Sequence, residues 1–220
     1  MKSKISRAMC SVLACVALGG ALSACVPLVV GGGMVAGSLM AVDRRTAGTQ
    51  VEDESIELKA NARIRETFND KARISVTSYN RQVLLTGEVG NAQDKDKLTR
   101  LIEAVDNVRS VVNETSVAPF TATLSQRSAD TFITGKVRAS LLDAKDLQAS
   151  AFKVVTENKV VYLMGIVTPR EAKRAAEIAR GVNDVTKVVR VFEVVSEDEL
   201  ARYQPKPAPV TTDASPSPSP

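Results

Sequence analysis

The sequence predicts an α+β fold: two tandem units, each α-β-β-α-β, with two helices packed on one face of a three-stranded mixed sheet. Three observations predict it. Val76–Val89 returns as Val154–Val167 at a constant offset of 78, which pairs Asn80 with Asn158, Arg81 with Lys159 and Gly87 with Gly165. Val105–Val108 returns as Val182–Val185 at an offset of 77. Within each copy the apolar period switches from helical to alternating and back. Each copy spans about 65–70 residues, near the lower size limit for a self-supporting core. Two copies are too few for a solenoid, so the pattern reads as duplication of a small domain.

Each unit opens on a helical stripe: Ile56, Ala60, Ile64 and Phe68 in the first, Ile133, Val137 and Leu141 in the second. A strand follows (73–78; 152–156), then a tight turn on Asn80-Arg81 or Asn158-Lys159, where Asn tolerates a positive φ. The second strand is 82–89 or 160–167. The second helix starts at Asn91-Ala-Gln-Asp94 in one unit and at Thr168-Pro169-Arg-Glu171 in the other. The latter is a capping box with Pro at the first helical position. Ala172, Ala175, Ala179 and Val182 form its small-residue stripe, and a last strand (108–117; 185–195) closes each unit.

Composition narrows the chemistry. The 220 residues contain no His, no Trp and three Cys, at 10, 15 and 25. The neutral-pH proton shuttle and the commonest metal ligand are missing, and no thiol lies in the body of the chain. Asp94, Asp96 and Glu103 share a helix with Lys95, Lys97 and Arg100, which reads as a solvated face and not a metal site. Gly31–Gly33 lacks the Lys of a phosphate loop, and no Ser sits in a nucleophile elbow. The expectation is a protein that is not an enzyme, with no catalytic residue, no metal, no cofactor and no nucleic-acid partner.

The leader carries the address. Lys2, Lys4 and Arg7 precede an apolar run from Ala8 to Gly20, the pattern of a secretory signal. Leu22-Ser23-Ala24-Cys25 then resembles a bacterial lipobox, which implies removal of residues 1–24 and attachment of a diacylglycerol and an N-acyl chain such as palmitate at Cys25. Cys15 is the poorer candidate, since Leu13 stands where a small residue is preferred. Residues 8–42 carry no charge, but Pro27 and Gly31–Gly33 disfavour a continuous spanning helix. Val26 follows the Cys where Asp usually retains a lipoprotein in the inner membrane, so the address resembles that of the outer membrane. Residues 25–52 are expected to form a flexible tether, and 197–220, ending Pro-Ser-Pro-Ser-Pro, a disordered tail.

The N-x-x-V-x-L-x-G-x-V pattern that follows Thr77 and Thr156, the helix after it and the Val-x-x-Val-x-x-Val tract resemble the BON domain, over residues 53–121 and 125–196. With the lipobox, the arrangement is similar to dual-BON outer-membrane lipoproteins. That resemblance implies binding to anionic phospholipid such as phosphatidylglycerol, enrichment at the cell-division site and support of envelope integrity. The alternative is a periplasmic adaptor for outer-membrane assembly or cell-wall amidase-regulating proteins.

Charge separates the copies. Residues 126–196 hold 12 Lys+Arg against 8 Asp+Glu, whereas residues 53–117 hold 10 against 11. Only the second unit has an electrostatic reason to approach an anionic surface. On its first helix, Ile133, Val137 and Leu141 fall within an arc of about 80°, the core face, and Phe132 and Leu142 lie about 140° to either side. Gly135 and Ala139 lie between these two, rimmed by Lys136 and Arg138. An aromatic, a small apolar ridge and flanking cations suit a lipid headgroup surface. The aligned first-unit positions are Ser55, Lys59, Asn61 and Arg65, with no Phe or Leu. Phe132 departs from the family resemblance, which leads to the expectation of Trp. Packing of Phe132 and Leu142 against the other unit stays open on sequence alone.

Overall fold

The first element of the described residues is helix α1 (Ala47–Phe68), followed by β1 (Ala72–Tyr79), β2 (Gln82–Val89), α2 (Ala92–Glu103), β3 (Ser110–Asn113) and β4 (Ser116–Val117). The second unit supplies α3 (Leu124–Asp143), a 3-10 turn (Ala149–Ala151), β5 (Lys153–Glu157), β6 (Val160–Val167), α4 (Pro169–Arg180) and β7 (Lys187–Val194), and a short α5 (Glu197–Leu200) ends the described chain. This computed structural model describes residues 43–69, 72–118 and 124–203. Cys25, the leader and residues 204–220 of the tail lie outside them.

Both sheets have one topology. β1 pairs antiparallel with β2, which pairs parallel with β3 and, beyond a break at Glu114-Thr115, with β4. β5 pairs antiparallel with β6, and β6 parallel with β7. The connecting turns put Asn80, Arg81, Asn158 and Lys159 at φ between 50° and 63°, the left-handed pair that a two-residue hairpin needs. Helix starts follow the sequence signals. The Thr168 side chain accepts from the Glu171 amide, Glu171 returns to the Thr168 amide, and Asn91 caps α2 by accepting from the Asp94 amide.

The central strands are buried on both faces because two different cores use them. Val83, Leu85 and Val89 face α1 and α2, where Ile56, Ala60, Ile64, Leu98 and Ile102 complete one core. Val161, Leu163 and Val167 do the same under Ile133, Val137, Leu141, Ala175 and Ala179. The intervening residues turn the other way. Tyr79 and Leu84 of the first unit meet Tyr162, Met164, Ile166 and Val191 of the second in a third core between the sheets. Asn80 and Arg109 both donate to Glu193, and Lys153 bridges to Glu57, so the rim of that contact is ionic. Burial pushes the Tyr79 and Tyr162 hydroxyls up to about 12.

The glycines that recur in both copies of the repeat have a steric reason. Gly87 sits at φ 106° with Arg73 O only 2.0 Å from where a Cβ would stand. Gly165 would place its Cβ 2.4 Å from Ala151 O, where the 3-10 turn closes on β6. Only a residue without a Cβ admits such backbone approach.

Two expectations need correction at the edges of the units. Residues 43–52, expected as tether, are structured: Arg44 is 6% exposed, and its guanidinium holds Glu171 by two hydrogen bonds of 2.7 and 2.8 Å and donates to Ile166 O. Residues 197–203, expected as disordered tail, form α5 with Ser196 as its cap, and bury Leu200 with Tyr203 in the intersheet core. In both places an apolar or ion-pairing partner from the other unit supplies the burial that local composition lacks.

Candidate functional site

Helix α3 holds its place through Ile133, Val137 and Leu141, which are 2%, 0% and 1% exposed. With that stripe fixed, helical geometry turns Phe132 and Leu142 to solvent, at 67% and 74% exposure. Packing of these two against the other unit is thereby excluded. Arg138 and Ala139 are exposed, and around Gly135 a Cβ would meet nothing within 4 Å. The six candidate residues therefore share one open helical surface.

Lys136 is not a bare cation. Its ammonium lies 4.8 Å from the centre of the Phe132 ring, 2.9 Å from Asp184 and 3.1 Å from Asn183 O. The cation thus steadies the aromatic one turn away and remains half-buried against α4. Hydrogen bonding to Lys136 holds the Asp184 carboxyl below the usual range. The first unit repeats the pair weakly, as Lys59 and Asp106 at 3.9 Å. At the C-terminal end, Arg138, Leu141, Leu142, Ala149, Phe152 and Val154 line a largely apolar notch of about 210 Å³. Along α3 the surface therefore runs from an aromatic over a small-residue ridge to an aliphatic step.

What anchors this helix to its sheet was legible in the repeat but went unread. The Asp130 carboxylate receives the backbone N–H groups of Asn158 and Lys159, both at 2.9 Å. Asp53 does the same for Asn80 and Arg81 at 2.8 and 2.7 Å, and also binds the Ser78 hydroxyl and Arg45. Burial alone would raise the Asp53 carboxyl, but donation from Ser78, the Arg81 amide, Arg45 and the Asn80 amide outweighs it and holds the group low. Identical residues 77 apart, each in the second turn of its helix, were the available signal. Among the described residues no His, Cys, Asp and Glu cluster could hold a metal ion. No described helix is long and apolar enough to cross a membrane.

The BON domain family matches residues 52–119 and 129–196. The outer membrane lipoprotein DolP of Haemophilus influenzae is 39% identical over 174 residues, covering 78% of this chain and 89% of that protein. The 21 kDa hemolysin of Actinobacillus pleuropneumoniae is 36% identical over 70% of this chain and 80% of its own. The osmotically-inducible protein Y of Escherichia coli is 40% identical over 60 residues, 27% of this chain and 30% of its own. Two copies of one α-β-β-α-β unit, together with identity to DolP across most of both chains, settle the classification: the chain belongs to the BON domain family, as a dual-BON outer-membrane lipoprotein related to DolP.

Proposed function

We propose that this protein, anchored by acyl chains at Cys25 and facing the periplasm, docks α3 of its second unit on anionic phospholipid and so supports outer-membrane integrity, at the division site. One observation carries the reading. Phe132 and Leu142 stand exposed on a helix whose Ile133, Val137 and Leu141 are buried, with the exposed Arg138 at the rim beside Leu142 and Lys136 against the ring. Isolated exposed apolar residues mean little, but an aromatic with a basic rim fits the headgroup layer. Three acyl chains exceed the two-signal threshold for stable anchoring, so the helix is free to select a surface and need not hold the protein there.

The test is co-sedimentation of the full mature chain carrying Cys25→Ser, and hence no lipid, with vesicles of graded anionic content. Binding should rise with anionic fraction and fall with salt, since headgroup attraction fades within a Debye length of roughly 8–10 Å. Binding that ignores both variables counts against the basic rim.

A second reading, the periplasmic adaptor, is favoured by a different surface. Val51 and Leu58 are 67% and 72% exposed and lie two turns apart on one face of α1. An adaptor acting there would keep its partner contacts when Phe132 is replaced and would not require vesicle binding.

A further inference from the structure

The two units treat the space between their paired helices differently. In the first, Arg63 on α1 reaches across and donates to Ala104 O, the capping carbonyl of α2, at 2.6 Å. An offset of 77 brings Ser140 to the place of Arg63 and Gly181 to that of Ala104. The plug is therefore missing from the second unit. In its place a groove of about 580 Å³ opens between α3 and α4, lined by Ala139, Ile178 and Val182 with Lys136, Arg174 and Glu177 at its edges. Lys136 and Ala139 belong both to this groove and to the exposed α3 surface, so the groove opens on that surface.

The residue that fills the space in the first unit identifies what the second would take. A helix C-terminus carries partial negative charge and favours a cation, which Arg63 supplies internally on α2. At the end of α4, Ser140 stands in place of that Arg, Lys136 donates to Asn183 O two residues beyond the cap Gly181, and Glu177 is among the lining residues. Lys136 and Arg174 provide cations on the same groove: Arg174 is held by a solvent-exposed ion pair to Asp146, and Lys136 by Asp184, Asn183 O and the Phe132 ring. The exposed Arg174–Asp146 pair contributes little to stability, which leaves Arg174 able to turn to a phosphate beside Lys136. We propose that the groove seats the zwitterionic phosphoethanolamine headgroup of a membrane phospholipid, its ammonium at the carbonyl end of α4 beside Glu177 and its phosphate on Lys136 and Arg174. The proposal rests on α3 meeting a phospholipid surface and adds a headgroup seat to it: surface charge draws the helix in, and the groove engages a neighbouring zwitterionic lipid.

Ser140→Arg tests this by transplanting the plug of the first unit. It adds a positive charge and fills the groove, so charge attraction and occlusion predict opposite signs. In the Cys25→Ser mature chain, binding to mixed phosphatidylethanolamine–phosphatidylglycerol vesicles should fall about tenfold, the equivalent of one charge-assisted hydrogen bond. Binding to phosphatidylglycerol-only vesicles should hold or rise. Unchanged or stronger binding to both vesicle types overturns the groove. Loss of the underlying reading looks different, because Phe132→Glu would then leave both vesicle types bound. As a measurement on the unaltered groove, glycerophosphoethanolamine should shift the backbone amide signals of Gly181, Val182 and Asn183 in the Cys25→Ser chain more than glycerophosphoglycerol does. Equal or reversed responses overturn the ammonium assignment.

Discussion

Phe132→Glu separates a lipid-contact role from a structural one, because the structure gives each a different size. The ring is two-thirds exposed and makes its described aromatic contact with Lys136 at 4.8 Å. Losing that contact costs about 0.5–1 kcal/mol at an exposed site. The new carboxylate stands four residues before Lys136, the favourable order for a helical ion pair, and returns about 0.3–0.5 kcal/mol. The net change in stability should therefore stay within about 0.5 kcal/mol, a Tm shift of roughly 1–3 °C for a domain pair of this size. Membrane binding should respond far more. Seating the exposed part of a Phe in the headgroup boundary is worth about 1–2 kcal/mol, and a carboxylate at an anionic surface adds roughly 1 kcal/mol of repulsion. A loss of about 2–3 kcal/mol weakens vesicle affinity by roughly 30- to 150-fold. The assay is thermal unfolding followed by co-sedimentation of the Cys25→Ser mature chain with anionic vesicles, with Ser55→Glu as the matched change on α1. A Tm drop of more than about 5 °C would make Phe132 a structural residue. Retention of vesicle affinity within about threefold, with the fold intact, would refute the lipid-contact assignment.

Three further outcomes follow from the geometry. Gly165→Ala forces a Cβ to within 2.4 Å of Ala151 O, so backbone must move, and urea denaturation should show a loss of at least about 1–3 kcal/mol; Gly87→Ala, strained in φ as well, should lose more. The folded-state carboxyl of Asp53 is held low, so its contribution is complete above the unfolded value of about 3.9 and disappears as pH falls through the lower folded value. Asp53→Asn, which sets an amide donor against donors, should cost about 3 kcal/mol at pH 7 and flatten the stability profile below about pH 4, as read from melts across pH. Cys25→Ser should release the protein from the membrane fraction or stall it as uncleaved precursor; normal processing with retention in the outer membrane would overturn the lipid attachment at that residue.

Much of this architecture was legible because it is local or repeated. Stripes such as Ile133–Val137–Leu141 fix a helix's buried face without reference to its partner, and that face fixes by rotation where Phe132 and Leu142 point. The Asn-Arg and Asn-Lys turns, the Thr168–Glu171 capping box and the topology of each sheet also follow from short-range pattern. Repetition let one copy serve as a control for the other, down to Asp53 and Asp130.

Other features arise only between segments far apart in the chain. Alternation on β2 and β6 gives no sign of a solvent face, because Leu84, Tyr162, Met164 and Ile166 are apolar for a second core that exists once the sheets meet. Arg44 reads as a tether residue until Glu171, 127 positions away, takes its charge out of water. Leu200 reads as tail until Tyr203 and the intersheet core close over it. That Arg63 reaches the end of α2 in the first unit, while Ser140 lines an open groove at the matching place in the second, is likewise encoded by no helical period. By itself the sequence determined the units, their helices and strands, and the outward face of α3. The tertiary structure decided how the two sheets share a core and how Arg44 and Leu200, beyond the repeated units, become buried, because burial and charge pairing at a distance depend on partners that local propensity does not specify.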